Sequence, residues 1–246
     1  MKKVIYLSVI IPAYNEEKRL PHTLNVTIDY LKRQKYSSEI IVVSDGSLDK
    51  TKQSVENFQE TFPELKIIEY YPNRGKGTAV KLGMLEAVGQ FRLFMDADLA
   101  VPLSCLSAFL EATENGSSIA IGSRASKQSR VKQGQNFFRM SLGKIYGMLL
   151  RLMTGLEFKD TQCGFKIFSD KVAEKIFSHS IINHQLFDAE ILMLANKMEI
   201  PVKEIPVNWR HDGDSRLTYG IFRSLWVLKE LWHLKRRNKQ IFSSLD

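Results

Sequence analysis

Phe91-Arg92-Leu93-Phe94-Met95-Asp96-Ala97-Asp98 is a short apolar run that ends in two acids. Such a run reads as a buried strand with polar chemistry at its carboxyl end, where ligands bind in open α/β sheets. In extended backbone residues i and i+2 point the same way, so Asp96 and Asp98 are placed to face one ligand. Two like charges that close repel unless a cation or a proton lies between them. Oxygen donors with open positions suit Mg2+ or Mn2+, which would bridge to a diphosphate. A solvated acidic turn is the plain alternative for an isolated Asp-x-Asp, so the neighbours decide.

On either side of this run, strand-like segments at 4–11, 39–44, 65–70, 91–95 and 118–122 alternate with helical ones at 17–34, 50–61, 77–88 and 103–114. That alternation predicts an α/β fold with a mostly parallel, doubly wound sheet. Asp49 is placed to cap the second helix and Pro102 to open the fourth. Residues 125–136 are polar and basic with no hydrophobic period and read as a mobile loop. Beyond them the pattern predicts an apolar helix over 137–153, a strand around 165–168 and helices over 171–177 and 185–197. A strand over 202–209 and a last helix over 219–237 complete it. No internal repeat or linker interrupts the chain, so one domain with a C-terminal extension is expected.

A chain of 246 residues, 44% hydrophobic and 25% charged, is long enough to bury a core without staples. Cys105 and Cys163 cannot form a disulfide framework, which points to a reducing cytoplasm. Lys2-Lys3 followed by an apolar stretch resembles a signal peptide. Pro12-Ala13-Tyr14-Asn15-Glu16-Glu17 follows with no small-residue cleavage pattern, so a buried first strand is the expectation. No run of about 18 or more apolar residues occurs, and no transmembrane helix is predicted. The formal charge of +8 implies anionic partners without choosing among phosphates, acidic lipid and nucleic acid.

Each predicted strand ends in chemistry. Pro12-Ala13-Tyr14-Asn15-Glu16 closes the first and Asp45-Gly46-Ser47 the second. Asn73-Arg74-Gly75-Lys76-Gly77 lies between the third strand and its helix, and the Asp pair follows the fourth. Any one of these suits a turn. Four in register along one edge indicate a binding site. A P-loop is excluded, because the position five residues before Gly75-Lys76 is Tyr70 and the residue after Lys76 is Gly77. Glycines and bases opening a helix still suit phosphate oxygens, although Arg74, Lys76 and Lys81 read equally well as solvated charges.

The order Val-Ile-Ile-Pro-Ala-Tyr-Asn-Glu-Glu, Ser-Asp-Gly-Ser, Asn-Arg-Gly-Lys-Gly, Asp-Ala-Asp, Gly-Ser-Arg resembles inverting glycosyltransferase family 2, with its nucleotide-sugar-binding GT-A fold. Asp160-Thr161-Gln162-Cys163-Gly164-Phe165-Lys166, Phe187-Asp188-Ala189-Glu190, Val207-Asn208-Trp209 and Ser215-Arg216 are similar to its lipid-phosphate branch. That branch comprises dolichyl-phosphate β-glucosyltransferases and bacterial polyprenyl-phosphate relatives. The resemblance spans roughly 8 to 217. It implies a GT-A catalytic domain over 1–217 and a C-terminal amphipathic basic helix and tail over 218–246.

Position by position, the resemblance assigns Pro12, Ala13, Tyr14 and Glu16 to the nucleoside pocket. Asp45 would accept from the base, and Lys76 would lie near the nucleotide. Asp96 and Asp98 would handle ribose, metal and diphosphate. Arg124 and Arg139 would hold the acceptor phosphate, Gln162 would lie near the sugar, and Ser215 and Arg216 near the diphosphate. Two departures stand out. Many relatives carry two acids where this chain has Ser44-Asp45, and the membrane-spanning anchor of eukaryotic members has no counterpart in this sequence.

These residue types suit the implied reaction. A divalent cation on Asp98 would stabilise a departing diphosphate. Two arginines would align an acceptor phosphate behind the anomeric carbon, with bidentate geometry that lysine lacks. Such a phosphate, with a second pKa near 6, is already largely ionised at neutral pH. Asp188 is the candidate base by position, for activating or orienting the acceptor; an ordinary helix-start carboxylate is the other reading. His184 and His211 read as surface or packing histidines. At about 100° per residue, helix 219–237 gathers Ile221, Leu225, Leu228, Leu231, Trp232 and Leu234 on one arc. Phe222 and Trp226 fall beside Arg223, Lys229 and Glu230, and Lys235-Arg236-Arg237 trails behind, which suits a lipid interface as well as core packing suits the arc.

The sequence therefore predicts a metal-dependent enzyme moving glucose from UDP-glucose to a polyprenyl or dolichyl phosphate, using Mg2+ or Mn2+. It would be peripheral on the cytoplasmic face of the membrane, with a membrane protein or a second copy as a compatible partner. GDP-mannose or another UDP-sugar is the alternative donor. Transfer to a glycan hydroxyl, with Asp188 as obligatory base, is the alternative acceptor. A basic nucleic-acid-binding module is disfavoured, because Asp96 and Asp98 would repel a nucleic-acid backbone; no nucleic-acid partner is expected.

Overall fold

A computed structural model of the chain describes residues 4–125, 131–132, 150–152 and 154–210. Seven strands form one sheet in the order β3-β2-β1-β4-β7-β5-β8. These are β1 (Leu7–Ala13), β2 (Ser38–Asp45), β3 (Leu65–Tyr70), β4 (Phe91–Met95), β5 (Ile119–Ser123), β7 (Phe165–Ser169) and β8 (Val202–Pro206). β1 and β2 are buried along their whole length, as parallel strands covered on both faces must be, and their sequences are correspondingly near-continuous apolar runs.

Helices cover both faces. α1 (Leu20–Lys32), α2 (Thr51–Gln59) and α4 (Leu106–Glu114) pack Leu24, Ile28, Val55, Leu106 and Phe109 against Val9, Ile11, Val42 and Phe165. On the other face α3 (Lys76–Glu86), α5 (Asp170–His179) and α6 (Phe187–Lys197) pack Val80, Met84, Phe177, Phe187 and Ile191 against Ile10, Val43, Phe94 and Phe168. The doubly wound α/β architecture expected from the alternation is the one observed.

Three differences from the sequence reading have local causes. β1 runs on through Pro12 and Ala13, pairing in parallel with β2 from Leu7↔Ser38 to Ala13↔Ser44. Its ladder with β4 ends at Ile10↔Phe94, so Pro12, which has no N–H, lies beyond that side's hydrogen bonds. α1 begins at Leu20 rather than at 17, because the backbone N–H of Glu17 donates to Asp49 Oδ2 (3.1 Å) and its carboxylate accepts from Lys50 N. The segment expected at 202–209 divides into β8 and β9 (Trp209–Arg210), and β9 pairs in parallel with β6 (Val131–Lys132), inside a stretch read from sequence as loop.

β7 is antiparallel to both β4 and β5, which it separates. This insertion brings the segment before β7, residues 160–164, beside the end of β4. Among the described residues no helix is long and apolar enough to cross a membrane. Most of the helix expected at 137–153, together with Arg139, His211, Ser215, Arg216 and everything read over 218–246, lies outside the described residues.

Candidate active site

The first two loops at the carboxyl edge are tied to each other. Asn15 N donates to Ser47 Oγ (3.0 Å), Glu16 N donates to Thr51 Oγ1 (2.8 Å), and Leu48 N donates to Asn15 Oδ1 (2.8 Å). Asn15 adopts φ +52, a turn that asparagine tolerates. Pro12 and Ala13 are buried, Tyr14 is 41% exposed, and the Glu16 carboxylate is gripped by Arg19 through Nε and Nη2 at 2.7 and 2.6 Å.

Asp45 ends β2 on the face of α3, in step with Ile41 and Val43. Its carboxylate accepts from Arg74 N (2.7 Å), Gly75 N (2.9 Å), Asn73 Nδ2 (3.0 Å) and the Tyr70 hydroxyl (2.9 Å). It therefore holds the loop that enters α3. Gly75 carries φ +98 there, and a Cβ on it would overlap the Asn183 carbonyl, so only glycine fits. Neighbouring Ser44 Oγ is buried with no partner among the described residues.

The loop anchored by Asp45 delivers Lys76 to Asp96: the Nζ–Oδ1 distance is 2.5 Å. β4 ends at Met95, so the two acids sit on the turn beyond the strand rather than on it. Asp96 N donates to the Gly164 carbonyl (3.0 Å), and a Cβ on Gly164 would overlap the Asp96 carboxylate. Leu99, at φ +51, turns the chain so that Ala100 N donates to Asp98 Oδ1 (3.0 Å). Burial, then the charge of Asp96, pushes the Asp98 carboxyl above the usual range. Burial opposes charge on Lys76, but Asp96 and Asp188 outweigh it and hold the ammonium firmly protonated.

Asp96 and Arg124 line one pocket together with Leu99, Cys163, Gly164 and Trp209. Arg124 makes a bidentate pair with Asp160 (Nε–Oδ2 2.7 Å, Nη2–Oδ1 2.9 Å) and lies over the Trp209 ring at 5.7 Å. Although burial opposes it, the guanidinium keeps the Asp160 carboxyl below its ordinary value. Two of the five N–H groups of Arg124 are engaged by that carboxylate, which leaves three for a ligand. Gln162 Nε2 is buried without a partner among the described residues. Cys163 is free, and burial pushes its thiol up to about 12, so it acts as an apolar wall.

Behind this pocket, Asp188 at the start of α6 pairs with Lys166 of β7, which is wholly buried, donates to the Cys163 carbonyl (2.7 Å) and lies 5.1 Å from the Phe94 ring centroid. Burial raises the Asp188 carboxyl against the pull of Lys166 and Lys76. Asp188 is thus an ion-paired interior group within the field of Lys76, not a solvated helix-start carboxylate.

Residues 8–177 match the family description "Glycosyl transferase family 2". The chain belongs to that family. This family 2 glycosyltransferase is 38% identical over 229 residues to the dolichyl-phosphate beta-glucosyltransferase of Drosophila melanogaster, covering 86% of this chain and 69% of the relative. It is 36% identical over 248 residues to the dolichyl-phosphate beta-glucosyltransferase of Saccharomyces cerevisiae, covering 92% and 73%. Across eight of the curated relatives it matches, it spans between 66% and 79% of their length. Its fold is shared with glucosyl-3-phosphoglycerate synthase from Mycobacterium tuberculosis, solved with Mn2+, UDP and glucosyl-3-phosphoglycerate. The TM-score is 0.58 at 18% identity, covering 98% of this chain and 79% of that one.

Sequence reasoning gave no role to Asp160, Lys166 or Trp209 of this glycosyltransferase, though each lies in a segment quoted for the lipid-phosphate branch. A signal was present: a lysine alternating with Phe165 and Ile167 in a buried strand must find an anion. Asn15 and Ser47 lie inside the quoted edge motifs but were given no role in tying the first two loops together, and Thr51 carried no signal.

Proposed function

We propose that this glycosyltransferase moves glucose from UDP-glucose to a dolichyl or polyprenyl phosphate, with inversion, using a divalent cation, on the cytoplasmic face of a membrane. The observation that carries the reading is the meeting of Asp96, Lys76 and Arg124 at the carboxyl edge of the sheet, in a chain whose relatives are named for transfer to dolichyl phosphate. Asp96, which lines the pocket with Lys76 bonded to it, suits a metal diphosphate. Arginine donors on the other side suit a second phosphate.

In this reading Pro12, Ala13, Tyr14 and Glu16 border the nucleoside, and Asp45, buried and with its carboxylate taken by four protein donors, acts on the nucleotide by holding the 73–75 loop instead of accepting from the base. Gln162 offers its unpartnered amide to a sugar hydroxyl. Arg124, aimed by Asp160 and Trp209, takes the acceptor phosphate with Arg139, and Ser215 and Arg216 reach the diphosphate. The residues present fit a divalent cation: two oxygen donors on one turn, in a cradle that a Cβ at residue 164 would fill. Such ions are commonly held by one or two carboxylates plus substrate phosphates. Asp96 and Asp98 would hold it, and when bound it supplies charge stabilisation to the leaving diphosphate. Because an acceptor phosphate is already ionised, no residue has to remove its proton. Asp188, paired to Lys166, is suited to orienting charge around Lys76 rather than to abstraction.

A donor screen tests the reading. With polyprenyl phosphate and Mn2+, nucleoside diphosphate release should be fastest from UDP-glucose. Faster release from GDP-mannose or another UDP-sugar would replace the donor and leave the acceptor class standing.

A further inference from the structure

The proposed cation site already contains a cation belonging to the chain. We infer that Lys76 is the resident counter-ion of Asp96, occupying the place of the divalent cation until metal and diphosphate displace it. The inference rests on the metal-dependent reading above and adds an exchange step to it.

Three observations carry it. First, the Lys76 ammonium sits on Asp96 Oδ1 at 2.5 Å, and both side chains remain about one-third exposed, at 36% and 37%, so the contact can open without unpacking the core. Second, Asp96 has little room on the side of Gly164. Its backbone N–H is fixed to the Gly164 carbonyl, and Gly164 lies so close to the carboxylate that no Cβ fits between them. Third, the backbone carrying Lys76 is clamped on both sides, whereas its ammonium meets Asp96 and lies over the Phe187 ring, 5.8 Å from the centroid. Asp45 grips Arg74 N and Gly75 N just before it, and Gly77 N donates to the Asn183 carbonyl at 2.8 Å just after it. Only the four-carbon stem has to move.

The charge balance gives the exchange its direction. Asp96, Asp98 and Asp188 all act on Lys76, and Asp188 also pairs with Lys166, so carboxylates outnumber ammoniums in this cluster. A divalent cation reverses that sign. The site then favours an incoming diphosphate, and the displaced ammonium has phosphate oxygens to move to. With no nucleotide present the same ammonium repels the metal. Lys76 therefore weakens binding of the metal alone and strengthens binding of nucleotide once metal is present.

The test uses the full chain, free of nucleotide, titrated with Mn2+ while free Mn2+ is followed by electron paramagnetic resonance. Lys76→Met should bind Mn2+ about tenfold more tightly than wild type, given a nearby positive charge removed at partial exposure. At saturating Mn2+ the same variant should bind UDP more weakly than wild type. Lys76→Arg should keep the weak, wild-type affinity for Mn2+. Lys76→Gln is a second neutral variant, and circular dichroism establishes which variants are folded. Equal or weaker Mn2+ binding by the folded neutral variants overturns the inference while leaving metal dependence intact. Wild type that takes up no Mn2+ even with UDP present removes the metal reading itself, and the exchange with it.

Discussion

The two halves of the sheet edge satisfy their carboxylates in different ways. At the β1–β3 end Asp45 is held by backbone amides, a side-chain amide and a hydroxyl, all neutral donors from the end of β3 and the loop after it. Around β7 and β5, Asp160 is held by Arg124 and Asp188 by Lys166, full cations from neighbouring strands. A carboxylate held by amides shapes a loop, and losing it loosens that loop locally. A carboxylate held by a buried cation shapes the field of the site, and losing its partner leaves a charge without compensation. The first end is thus built to fit a ligand's shape and the second to meet a ligand's charge.

The sharpest way to break this contrast is at Asp98, between the two ends. On the proposed reading, Asp98→Ala should lower turnover by about a thousandfold or more, as loss of a transition-state charge stabiliser does, with circular dichroism unchanged. Turnover within a few-fold of wild type would take Asp98 out of the reaction.

Lys166→Met should destabilise the fold by about 3–5 kcal/mol in urea unfolding, because it leaves the buried Asp188 carboxylate without its ion-pair partner. Lys166→Met combined with Asp188→Leu should recover most of that loss, since replacing both partners by apolar groups is commonly near neutral. An equally large loss in the double variant would mean that packing, not charge, dominates at this end.

At the amide-held end, Asp45→Ala should weaken UDP binding by about 1–3 kcal/mol by calorimetry, the usual effect of leaving donors unpaired. Global stability should fall less than in Lys166→Met. Unchanged UDP affinity would separate the 73–75 loop from the nucleotide.

The smallest effect expected is one of pH on stability. Burial and Asp96 raise the folded-state pKa of Asp98 above its unfolded value. The stabilisation from this group is therefore fully present below the unfolded pKa and is lost as pH rises through the folded pKa. At neutral pH ionised Asp98 opposes folding, so Asp98→Asn should raise stability there by less than about 1 kcal/mol, the partial exposure limiting the gain. The difference should vanish in acid. Thermal melts across pH check this, and a destabilised Asp98→Asn would reverse the sign.

The two ends also differ in how far the sequence discloses them. β1, β2 and β4 were legible because a strand buried on both faces is nearly apolar throughout and each of these runs ends in proline or acid, while β3, the partly buried edge strand, still shows its Ile67-Ile68 pair before Tyr70. The same runs brought out Asp45, Lys76, Asp96 and Asp98. β7 was legible as a strand, but not as an antiparallel insertion between β4 and β5, since apolar content does not encode strand direction. Without that insertion nothing in the sequence says that Asp160 meets Arg124 or that Lys166 meets Asp188: both are long-range pairs, 36 and 22 residues apart. The helix starts were off by up to three residues where a backbone N–H, such as that of Glu17, is taken by a neighbouring loop.

The central claim is transfer of glucose from UDP-glucose to a lipid phosphate. Its most direct test is to incubate the chain with radiolabelled UDP-glucose and Mn2+, offering dolichyl phosphate in one reaction and a soluble sugar in another, and to follow the label into organic extract. The account expects label in the lipid phase only with dolichyl phosphate, and none passed to the soluble sugar. Label passed to the soluble sugar as readily as to the lipid would contradict it, and would move the acceptor from a phosphate held by Arg124 to a hydroxyl activated by Asp188.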